Sequence, residues 1–220
     1  MWNSTLKNMD ATFENIIKNR RSIRAYKKEV PTDDLIQKLI ASALCAPSPS
    51  NRQPVRFVMI KSNEKREAIR DAMYKGKTIL INRVEEMPAS KKLKNWINFY
   101  YRHSEFMFDA PCLFGVGIVV EKENLMHRLI TGGVLEKGKE TQDDNLIALG
   151  ISVDHFLLQA VALGLGTCIL TAPILFIKES GEFPLIVDGI NLSCFVTAGF
   201  PQNIPSPSSR KNISEIFVEV

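Results

Sequence analysis

The sequence predicts an α+β fold. Apolar residues recur at helical spacing in two long stretches, 33–44 and 144–163. Short apolar runs at 55–60, 112–120, 167–170 and 190–198 suit strands. These helical and strand-like pieces mix without strict alternation, unlike a regular β-α-β repeat.

The elements can be justified in order. Asp10 is placed to cap a first helix over 11–18, with Phe13, Ile16 and Ile17 on one face. Pro31 and Thr32 open a second, faced by Leu35, Ile36, Leu39, Ile40, Ala43 and Leu44. Asp33 and Asp34 favour its positive N-terminal end, and Pro47 stops it. A strand over 55–60 precedes a helix from Asn63 through Met73. The stretch 74–108 mixes charge with aromatic residues and predicts helical pieces that cover something apolar. The run Cys112 to Val120 suits a buried strand. Residues 130–144 read as a loop. The helix over 144–163 is apolar on nearly every side, a pattern that predicts burial all round, and Gly164 and Gly166 end it. The tail is rich in Pro and Ser and closes on strand-like alternation over 213–220.

Composition bounds the function. The chain has 220 residues and 24.8 kDa, with 45% hydrophobic and 24% charged residues. Those proportions exclude a disordered or fibrous chain. A net charge of +4 is too small to point to nucleic acid by itself. The apolar runs are broken well short of a membrane span, and residues 1–10 are too polar for a signal peptide. The four cysteines form no CxxC pair, and three sit among apolar residues as buried thiols do. No metal site is expected. We read one cytoplasmic domain over 1–220, with no nucleic-acid or membrane partner.

Four stretches carry chemistry. Arg20, Arg21, Ser22 and Arg24 set three guanidiniums and a hydroxyl within five residues. Arginine forks suit phosphate and other planar anions, though the same run also reads as a solvated basic face. Pro47, Ser48, Ser50, Asn51 and Gln53 lie in a proline-stiffened loop that fits a ligand or an ordinary connection equally well. Ile169, Leu170 and Thr171 follow the glycines at 164 and 166, which end a helix and therefore do not form a dinucleotide fingerprint. Arg210 and Lys211 alone read as a solvated pair. No nucleophile elbow is present, and His103, His127 and His155 form no metal spacing with a cysteine.

In this order the four stretches resemble the nitroreductase family of flavoproteins. Its R-R-S-x-R start matches Arg20 to Arg24, followed by Val30 and Leu35. Its A-P-S-x-x-N-x-Q-P loop matches Ala46 to Pro54. Its A-x-x-L-G-L-G-T-C segment matches Ala160 to Cys168. A G-F-P strand end stands at Gly199-Phe200-Pro201, before the basic pair. The resemblance implies a central, mostly antiparallel sheet flanked by helices, in an intertwined homodimer with FMN at the subunit interface. It implies hydride from NADPH or NADH, ping-pong kinetics, and a small electron-poor acceptor such as a nitroaromatic or quinone. No protein acid or base is required, because the flavin carries the chemistry. Arg20, Arg21, Ser22 and Arg24 then match residues that hold the FMN phosphate, ribityl chain and ring edge. Arg210 and Lys211 match the second half of the phosphate grip. Pro47, Ser48, Ser50 and Asn51, with Gln53 beside them, match the loop laid against the flavin by the other subunit. Ile169, Leu170 and Thr171 match the strand end whose backbone faces the ring. His103 stands near the place of a family-typical Asn. Val55 replaces a frequent aromatic, and Thr171-Ala172 a frequent glycine pair. The stretch 75–110 is a candidate lid insertion. Rival readings are a specialised reaction on the same fold, dehalogenation or flavin fragmentation, and a flavin-binding module without turnover.

Overall fold

The computed structural model describes residues 13–119, 125–136, 143–184 and 189–219. Four strands, β1 (Val55–Met59), β2 (Cys112–Val119), β3 (Gly166–Leu170) and β4 (Ile190–Gly199), form one antiparallel sheet in the order β1-β2-β4-β3. Residues 112–118 are all buried, as a continuous apolar run predicts for a central strand. The register sets Val55 opposite Ile118, Cys112 opposite Ala198, Gly166 opposite Gly199 and Leu170 opposite Phe195.

Seven helices are described: α1 (Phe13–Asn19), α2 (Asp33–Leu44), α3 (Asn63–Arg83), α4 (Ser90–Glu105), α5 (Leu125–Thr131), α6 (Asp143–Ala162) and α7 (Ala172–Ser180). The period of two in β2 divides the core. Cys112, Phe114, Val116 and Ile118 share one cluster with Leu39 and Ala43 of α2 and Val153, Phe156 and Ala160 of α6. The Phe156 ring stacks on Phe57 at 5.3 Å and meets Phe114 edge-on at 5.4 Å. Leu113 joins the second cluster, with Ile69 and Met73 of α3, Tyr101 of α4 and Phe176 and Ile177 of α7.

The α+β class and the four strands agree with the sequence reading; several helical details do not. The helix from Asn63 continues ten residues past Met73, because no breaker stops it and α7 packs along its later turns. The supposed loop over 130–144 begins inside α5, and residues 137–142 lie outside the described ones. Helix α7 was not expected. Pro173 sits in its first turn, where a missing N–H costs nothing, and Gly181 closes it at φ 72°. Helix α6 is not buried all round: Leu146 and Ile147 are 49% and 64% exposed. Helix α1 buries none of its residues, and Phe13 and Ile17 face solvent; the Asp10 cap lies outside the described residues. Among the described residues the tail forms no strand. Residues Ile213–Glu215 make a single 3-10 turn boxed by Asn212 and Glu215, since alternation without a neighbouring edge leaves backbone groups unpaired.

Candidate functional site

The arginine stretch lies along the outer edge of the sheet. Residues 20–26 run beside β3: Ser22 bridges Thr167 in parallel, and the Ile23 amide donates to the Thr167 carbonyl at 2.8 Å. Tyr26 bridges Pro201, and the Lys27 amide donates to the Phe200 carbonyl at 2.8 Å, so the ribbon continues to the end of β4. Ile23 is buried directly over Gly166, where an added Cβ would stand 2.5 Å from Ile23 Cγ1. Glycine is therefore needed there for close approach rather than for a turn.

Alternate residues of this ribbon act electrostatically on Cys168. Burial pushes the Cys168 thiol up, while the charge of Arg24, the Ser22 hydroxyl and the charge of Arg20 pull it back. Arg20, Ser22 and Arg24 are thus one cluster around the middle of β3. Arg21 points elsewhere. Its Nη1 donates to the Lys18 and Arg20 carbonyls, and its Nε is buried without a partner. Among the described residues, no carboxylate pairs with Arg20, Arg21 or Arg24. Next to them Ile169 is the exposed residue of an otherwise buried strand, at 42%, and Thr171 stands at the N-cap position of α7 without a side-chain capping bond.

The 46–54 loop is stiff by construction. Ser50, Asn51 and Gln53 all have positive φ, at 51°, 54° and 51°. Such left-handed non-glycine residues persist only where surrounding bonds hold them. Here Ser48 Oγ accepts the Gln53 amide at 2.9 Å, Gln53 Nε2 donates to Asn51 Oδ1 at 3.1 Å, and Arg52 Nε donates to the Pro49 carbonyl at 3.1 Å. Arg52 also pairs with Asp144 of α6. Pro47, Ser48 and Gln53 line a cavity of about 440 Å³ with Leu44, Phe57 and Ser152, at the open edge of β1.

These two parts do not meet within one chain. The arginine ribbon flanks β3 at the level of Ala198 on β4, while the loop enters β1 at the level of Asn191. They are separated by the width of the sheet and by seven residues along it. That is roughly 20 Å in each direction, at about 4.8 Å per strand and 3.4 Å per residue. The basic pair is distant in another sense. Arg210 donates to Ser208 Oγ at 2.6 Å and to the Ser209 carbonyl, inside an exposed tail. His103 sits on the exposed face of α4, its ring 3.8 Å from that of Phe99.

Sequence reasoning passed over Tyr26 and Thr197. The Tyr26 hydroxyl donates to the Ile23 carbonyl at 2.7 Å and contacts Thr197 Oγ1 at 2.7 Å. Burial holds this phenol well above its ordinary pKa. The partners are 171 positions apart, so no local pattern announces them.

Comparison with known proteins bears on this arrangement. The model of the nitroreductase family matches residues 17–183. A Bacillus subtilis (strain 168) protein provisionally named NAD(P)H nitroreductase YfhC is 23% identical over 217 residues, 96% of this chain and 95% of its own. The crystal structure of a BluB-like flavoprotein from Clostridium difficile 630 superposes with a TM-score of 0.79 at 25% identity, over 95% of this chain and 99% of that one. A nitroreductase with bound FMN from Desulfitobacterium hafniense DCB-2 shares the fold at a TM-score of 0.63 and 22% identity, with both chains covered in full.

Proposed function

Because the chain belongs to the nitroreductase family, we propose that it is an FMN-dependent NAD(P)H oxidoreductase that reduces a nitroaromatic, a quinone or another electron-poor small molecule. The observation that carries this reading is the arginine ribbon. Arg20 and Arg24, without carboxylate partners, act on Cys168 of the strand that exposes Ile169, and Arg21 between them in sequence keeps a buried Nε without a partner. That donor set fits a phosphate, whose burial demands charge-assisted hydrogen bonds. Arg20, Arg21, Ser22 and Arg24 would hold the phosphate and ribityl end of FMN, and Ile169, Leu170 and Thr171 would border its ring. When bound, FMN supplies the hydride and electron chemistry, in a ping-pong cycle. Protein side chains supply position, charge and exclusion of water.

The same reading includes a homodimer. Pro47, Ser48, Ser50, Asn51 and Gln53 lie too far from the arginines to touch one ligand from one chain, so a second subunit would bring its loop to them. Arg210 and Lys211 would complete the phosphate grip by the same route. Support comes from the uncovered Leu146 and Ile147 of α6, and from Ile213, Ile216, Phe217 and Val218, each more than 60% exposed in the tail. The buried free thiols at Cys112, Cys168 and Cys194 support a reducing, cytoplasmic setting.

The test is the visible spectrum of the purified protein before and after anaerobic NADPH, then NADH. A flavin spectrum that bleaches is the expected result. A flavin spectrum untouched by either nucleotide favours a binding module or another electron donor. A colourless protein that refuses added FMN overturns the reading.

A further inference from the structure

We propose that Tyr26 is a positioning residue for the cofactor phosphate: its hydroxyl clasps the arginine ribbon to the sheet and keeps Arg20, Ser22 and Arg24 in register on β3. The inference rests on the flavin reading above. It concerns a residue whose hydroxyl contacts the Ile23 carbonyl and Thr197.

The clasp is a short relay. The Tyr26 hydroxyl lies 2.7 Å from both the Ile23 carbonyl and Thr197 Oγ1. Thr197 Oγ1 lies 3.4 Å from the Cys168 carbonyl. The two hydroxyl hydrogens can satisfy the 2.7 Å pair contact in two ways. Either Tyr26 donates to Ile23 and Thr197 donates to Tyr26, or Tyr26 donates to Thr197 and Thr197 donates to Cys168. The 2.7 Å contact to Ile23 favours the first. In the first ordering the Tyr26 hydroxyl ties the Ile23 carbonyl of the ribbon to β4 at a buried point, since Thr197 is fully buried. The Tyr26 ring also fills the space over Gly199, where an added Cβ would come 3.0 Å from Tyr26 Cδ1. Ile23, whose carbonyl is clasped, lies between Ser22 and Arg24 in the chain. A shift at this carbonyl therefore moves both neighbours, while a buried acceptor that loses its donor has no water to replace it.

The experiment measures dissociation constants of the apoprotein for FMN and for riboflavin, which lacks the phosphate, by quenching of flavin fluorescence. Tyr26→Phe keeps the ring and removes the hydroxyl. Its FMN affinity is expected to fall about tenfold, because without the clasp the ribbon is in register only about a tenth of the time, while riboflavin affinity stays at the wild-type value. Thr197→Ser keeps a hydroxyl and is expected to bind FMN as the wild type does. If Tyr26→Phe does not fold, Thr197→Val unfastens the Tyr26 hydroxyl from β4 while leaving its bond to Ile23, and is expected to show a smaller FMN-selective loss. Equal losses for both flavins, or none for either, overturn the proposal. Failure of the wild-type protein itself to bind FMN is a different result, and it removes the flavin reading.

Discussion

Arg66 spends a half-buried guanidinium on backbone carbonyls. Its Nη1 donates to Phe108 at 2.9 Å and Ala110 at 2.8 Å, its Nε to Ile60 at 3.2 Å, and its Nη2 to Pro111 at 3.4 Å. The first turn of α3 is thereby fastened to the bend that enters β2. Desolvation lowers the Arg66 pKa, opposed by Cys112 and Asp109. Arg66→Met keeps the apolar stem and strands the carbonyls. We expect it to cost about 2–4 kcal/mol, read from urea unfolding, because hydrogen bonds to a charged donor are worth more than neutral ones. A cost near zero would mean that water takes over the carbonyls. In the sequence Arg66 stands between Lys65 and Glu67 and looks like surface charge, so nothing local marks it. The buried thiols make a second prediction at this scale. Burial raises Cys112 to about 11 and Cys194 to about 12. Both folded values lie above that of an exposed thiol, about 8.5. Their stabilising share is therefore complete below that pH and is lost as pH rises through the folded values. The urea midpoint is expected to decline above pH about 9, and less steeply in the double variant Cys112→Ala, Cys194→Ala.

Elements were legible where a local cause makes them. Helix α2 has its cap in Thr32, whose hydroxyl accepts the Leu35 amide, and its core face in Leu39 and Ala43. Strand β2 is a continuous apolar run, and its burial follows from composition alone. Helix α7 was illegible because Ala172 to Ile177 is apolar on every side and carries no period. The tail misled in the opposite way, since its alternation has no edge to pair with in this chain. The packing of α3 on α7 turns on one glycine that no helical pattern would notice. A Cβ at Gly76 would stand 1.8 Å from the Phe176 carbonyl oxygen and 3.1 Å from its Cα. Backbone cannot rotate away as a side chain does. Gly76→Ala is therefore expected to destabilise by about 2–3 kcal/mol, outweighing a gain in helix propensity of about 1 kcal/mol. A thermal melt decides it: a raised Tm would show that α7 shifts freely.

The molecule as a whole places its two proposed half-sites at diagonal corners of one sheet. Both were legible as residue types, because arginines beside a serine and a proline-stiffened polar loop are conspicuous. Their separation was not, since it depends on strand order and register. The separation has a genetic consequence. If each flavin is held by the ribbon of one chain and the loop of the other, two differently damaged chains can mend each other. Arg24→Ala damages the first half-site, and Asn51→Ala damages the second. Homodimers of either variant would carry two broken sites. A mixed dimer would carry one site broken twice and one left whole. Refolding equal amounts together is then expected to restore flavin binding to about a quarter of the wild-type level, as random pairing in a two-fold dimer requires. Titration with FMN would count those sites, and an unrestored mixture would mean that each chain holds its cofactor alone.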